Sequence, residues 1–88
     1  MDILQILIQT LDMQINIASA NHVTDRDAYR DWETCQSTCS KISKTLVNSN
    51  TRFEQNPYLY ADTIDALDKL KLMIGGKMYE LKKRMDNL

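Results

Sequence analysis

One apolar spacing recurs along this chain and leaves it few ways to fold. Met1, Leu4, Ile8, Leu11, Ile15 and Ala18 are separated by steps of three and four residues. So are Ala28, Trp32, Cys35, Cys39, Ile42 and Leu46. So are Tyr60, Ile64, Leu67, Ile74, Met78, Leu81, Met85 and Leu88, with Lys71 filling the gap in the series. Each series places its side chains on one stripe of an α-helix. Three such stripes predict an all-α fold, a three-helix bundle built on a long antiparallel hairpin with coiled-coil-like seams.

The 88 residues make one domain, with helices expected over about 2–20, 24–49 and 57–87. A chain this short buries only about 60–65% of its unfolded surface, so a partner or a second copy would add needed burial. Asp2 is placed to cap the first helix, and Thr24 with Asp27 resembles a capping box for the second. Asn56-Pro57 opens the third. Gly75-Gly76 interrupts its composition, but the stripe keeps phase from Ile74 to Met78, which predicts one continuous helix. A rival reading exists for the first segment, where Leu11, Met13, Ile15 and Ile17 alternate with polar residues as in a strand; no second strand is available to pair with it.

Folding the chain about Phe53 sets Trp32 beside Ile74 and Gly75, so that the glycines make room for an indole, and sets Lys71 near Cys35. Folding it about Asn21 sets Leu11 near Trp32 and Ile8 near Cys35. The expected core is Trp32, Cys35, Cys39, Leu11, Ile42, Leu46, Ile64, Leu67 and Ile74. At about 1.5 Å per residue the third helix is roughly 45 Å long and the first roughly 28 Å, so the end of the third is expected to project. That end carries Leu81, Met85 and Leu88, flanked by Lys82, Lys83 and Arg84. The first helix holds more apolar residues than one stripe needs, with Ile3, Ile6, Leu7, Met13 and Ile17 off the seam. Leu81, Met85, Leu88, Lys82, Lys83, Arg84, Ile3, Ile6 and Leu7 are therefore the candidate partner-binding residues.

The net charge of −1 argues against a general nucleic-acid binder. Its distribution is uneven: residues 1–33 hold six acids against two bases, and residues 69–88 six bases against two acids. The hairpin pairing matches Asp25, Asp27, Asp31 and Glu33 with Lys77, Lys82 and Lys83. His22 reads as an exposed turn residue. Cys35 and Cys39 lie four apart on one helix face, which suits two small buried side chains. The same spacing suits half of a zinc site shared by a dimer or a redox pair, and this is the alternative reading. A second alternative is nucleic-acid binding by the basic tip. The chain lacks a secretory leader pattern and an apolar run long enough to span a membrane, and reads as cytoplasmic. It shows no catalytic constellation, phosphate loop or cofactor fingerprint. These features together predict a small non-enzymatic protein-binding module, with no metal or cofactor. It would act as an adaptor, chaperone or stoichiometric inhibitor through apolar helix faces, and bind another protein or itself as a homodimer.

Overall fold

The computed structural model describes residues 3–48 and 57–87. Three helices make up the fold: α1, Ile3–Ala18; α2, Asp25–Asn48; and α3, Pro57–Asp86. Met1, Asp2, Phe53, Asn56 and Leu88, and the side chain of Tyr60, lie outside the described residues.

α2 is the centre of the molecule. It packs extensively against both α1 and α3, which make no comparable contact with each other. The three helices form a long, flat body of 52 × 23 × 16 Å. The α2 stripe is buried along its whole length: Ala28, Trp32, Cys35, Cys39, Ile42 and Leu46 are all at most 9% exposed. Leu67, Ile74 and Leu81 of α3 and Leu4, Leu11 and Ala18 of α1 close the core over it. Ile64, Leu70 and Met78 pack at its edge.

Local chemistry sets the helix ends. Thr24 caps α2: its hydroxyl accepts the Asp27 N–H at 3.1 Å, and its carbonyl accepts the Ala28 N–H at 3.3 Å. Asp25 and Asp27 in the first turn of α2 and Lys83 and Arg84 in the last turn of α3 each oppose the local helix-end charge. α3 runs through Gly75-Gly76 without a break.

The register of the helices differs from the sequence expectation. In the hairpin, Arg84 Nη2 lies 2.8 Å from Asp25 Oδ1, and Lys71 sits within electrostatic reach of Cys39 rather than beside Cys35. α3 is thus displaced by about one turn along α2. Trp32 consequently lines a cleft with Lys77 and Leu81 instead of packing on Gly75. A Cβ built on either glycine meets nothing within 4 Å, so the glycines make no room for the indole. Their cost in helix propensity has no packing compensation among the described residues.

The α1–α2 register is displaced further. Gln14 reaches Thr38, and Ala18 shares the cleft with Trp32. It is therefore Ala18, two turns after Leu11, that meets Trp32. α1 ends opposite the second turn of α2, and residues 19–24 run back along the first turns of α2 to reach its start. That path explains His22. Its side chain is 14% exposed, and its Nε2 lies 2.7 Å from Asp31 Oδ2. His22 is a tie between the connection and α2, not an exposed turn residue.

Candidate functional site

α1 carries two apolar seams offset by one residue. The inner seam is Leu4, Leu7, Leu11, Ile15 and Ala18, which are buried or pack against the core. The outer seam is Ile3, Ile6, Thr10, Met13 and Ile17. One residue along a helix is a rotation of about 100°, so the outer seam faces well away from α2. Its apolar members are bare: Ile3 is 66% exposed, Ile6 49%, Met13 63% and Ile17 56%. Thr10 interrupts them without presenting a free polar group, because its hydroxyl donates to the Ile6 carbonyl at 2.8 Å.

This division corrects two assignments. Leu7 was expected on the free face, but it is half-buried and packs against the core. Ile8 was expected in the seam, but it is 47% exposed. α1 has one extensive neighbour, so it buries a narrow strip centred between Leu4 and Leu11, and Ile8 falls on its border. Ile3 and Ile6 remain on the open face. Thr10, Met13 and Ile17 belong with them, though the partner-binding residues chosen from sequence did not include them. The signal for them was present: the same three-and-four spacing, read one residue earlier.

The polar contact at the α1–α2 interface was not legible in the stripes. Thr38 is 5% exposed, and its hydroxyl lies 2.6 Å from Gln14 Oε1 and 3.2 Å from the Thr34 carbonyl oxygen. Its single proton serves one of these acceptors at a time. The pair sits on the flank of α2 that α1 occupies and ties the two helices in register.

The far end of α3 is not an open docking tip. Leu81 is 6% exposed and lines the cleft with Ala18, Ala20, Ala28 and Trp32. Met85 is half-buried, and Leu88 lies outside the described residues. The one-turn shift of α3 brings Arg84 level with the first residue of α2, which leaves the surplus length of α3 at its other end. Arg84 is held by Asp25, while Lys82 and Lys83 are exposed beside Tyr79, Asp86 and Asn87. Two of the acids matched in sequence with Lys77, Lys82 and Lys83 have other partners. Asp25 takes Arg84 and Asp31 takes His22.

Cys35 and Cys39 are free thiols with no exposed surface. Burial pushes both above the ordinary thiol value of 9.0. For Cys35 the neighbouring Cys39 and Asp31 push the same way against its own backbone hydrogen bond; for Cys39 the Lys71 ammonium pulls back. Both therefore stay protonated at neutral pH, the form that is poor as nucleophile and as metal ligand. Among the described residues no group of three His, Cys, Asp or Glu side chains is placed to hold a metal ion, and no helix is long and apolar enough to cross a membrane.

Comparison with protein-family models, curated proteins and solved structures finds no match to this chain.

Proposed function

We propose that this chain is a small non-enzymatic protein-binding module and that the outer face of α1 is its docking surface. One observation carries the reading: Ile3, Ile6, Met13 and Ile17 form an exposed apolar seam, interrupted by Thr10, on a helix whose other seam already satisfies the core. Side chains of this size on one line are a recurrent helix-docking pattern. Together they expose an apolar strip on the order of 400 Å², within the range at which surface patches on single chains are often functional. The burial of Cys35 and Cys39 supports a core role for them over thiol or zinc chemistry. The exposed Lys82 and Lys83 are left as a minor feature that steers an acidic partner.

The test replaces Met13 with photoreactive benzoylphenylalanine, irradiates the full chain in cells, and identifies adducts by mass. The expected result is a defined protein adduct that Ile6→Glu abolishes and that is reconstituted from purified components. The same probe in place of Asp12, away from the seam, gives no such adduct. Equal labelling from positions 12 and 13 would remove the support for this surface.

A further inference from the structure

The spacing and the charge of the outer seam bear on its occupant. We infer that it is a second copy of this chain, paired α1 to α1 in parallel and in register about a two-fold axis; the inference rests on the docking surface proposed above. The spacing 3, 6, 10, 13, 17 is that of a coiled-coil seam over two heptads, with Ile3, Thr10 and Ile17 at the first core position and Ile6 and Met13 at the second. β-branched residues at the first core position favour two-stranded parallel pairing where the second is not itself β-branched, as at Met13; Ile6 departs from that rule. Thr10 is its midpoint and faces Thr10 in a parallel, in-register pair, where each core position meets its own copy. A two-fold interface needs a surface of this self-complementary kind.

Charge points the same way. Leu7 and Gln14 flank the seam on one side and Gln9 and Asn16 on the other, and none is charged. Within Ile3–Ala18 the single charged residue is Asp12, which lies off the seam. A second copy meets no repulsion here, and a partner chosen by charge finds nothing to pair with. The Thr10 hydroxyl is already bonded within its own helix, so covering it strands no polar group. The apolar strip doubled across the axis is about 800 Å², below the roughly 1,200 Å² of stable specific interfaces, so weak and concentration-dependent pairing is expected.

Sedimentation or light scattering of the full chain in reductant, from low micromolar to millimolar concentration, tests the inference. The wild-type mass is expected to rise from 10.2 kDa towards twice that value. Met13→Glu should stay at the single-chain mass, with unchanged helicity and melting because Met13 is 63% exposed. Thr10→Cys should form a cross-linked dimer on mild oxidation far faster than Asp12→Cys. A wild-type chain that stays monomeric at millimolar concentration overturns self-pairing. If the photoreactive probe at position 13 then yields an adduct with a different protein, the docking surface stands and only its occupant was wrong. A dimer that Met13→Glu leaves intact also overturns self-pairing through this seam, since association would then use another face, and the probe at position 13 decides the docking surface separately.

Discussion

α1 and α2 share one spacing rule and meet opposite fates. α2 holds a single apolar stripe on an otherwise charged and hydroxylated helix, and that stripe is buried from Ala28 to Leu46. α1 is far more apolar overall, yet Leu4, Leu11 and Ala18 are its only fully buried residues. The cause is the number of neighbours. α2 is packed from two sides and can bury a broad face; α1 packs extensively on α2 only and buries a strip. Hydrophobicity therefore does not locate the core here. The more apolar helix is the more exposed one, and the excess is where binding is proposed.

The sharpest way to break this comparison is to cut each helix at its stripe. Trp32→Ala in α2 should cost about 3–5 kcal/mol, enough to unfold much of the population, whereas Met13→Ala in α1 should stay within about 0.5 kcal/mol. Urea midpoints on the two variants at low concentration, where chains are separate, decide it. Equal losses would mean that the outer seam of α1 contributes to the fold. At the join between the helices, Thr38→Val should lower stability by about 1 kcal/mol, the usual net worth of a hydrogen bond. A gain would mean that a dry α1–α2 interface serves as well and that the Gln14 contact only sets register.

Away from both helices, Gly75→Ala and Gly76→Ala should each raise stability by roughly 0.5–1 kcal/mol, because the added methyl meets nothing and neither glycine has positive φ. A thermal melt of each variant is sufficient. A loss at either site would show that a contact made in the assembled state needs the bare backbone.

The α2 thiols add a pH signature that α1 lacks. Their folded pKa values lie above the unfolded value of 9.0, so the unfolded chain ionises first as pH rises. Their stabilising contribution is complete below pH 9 and is lost as pH climbs through the folded values. Chemical denaturation at pH 8 and at pH 9.5 should show that decline, and replacing both cysteines by alanine should flatten it from whatever baseline the variant has. An unchanged slope would place the thiols in contact with water.

Much of this was legible beforehand, for reasons that are local. The α2 stripe needs only helical period, since a face so cleanly divided has one way to be buried. The Thr24 cap needs only a hydroxyl one residue before a helix. The continuity of α3 across Gly75-Gly76 follows from the phase of Ile74 and Met78. The errors have a common origin in register. Placing the hairpin axis at Phe53 and the first turn at Asn21 misaligned α3 by one turn and α1 by about two. From those shifts came the wrong neighbours for Trp32 and Lys71, the wrong ion-pair partners for Asp25 and Asp31, and the wrong exposure for His22 and Leu81.

The sequence by itself determined three helices, their stripes and their caps, because hydrogen bonding and side-chain period act over three or four residues. Tertiary structure alone decided that Leu7 turned inward and Ile8 outward, how far each helix slid along α2, and which end of α3 carries its surplus length. A stripe of equivalent side chains can interdigitate with its neighbour at successive turns with similar burial. What separates those registers is a few long-range contacts, such as Gln14 with Thr38, His22 with Asp31 and Arg84 with Asp25, and no local pattern encodes them.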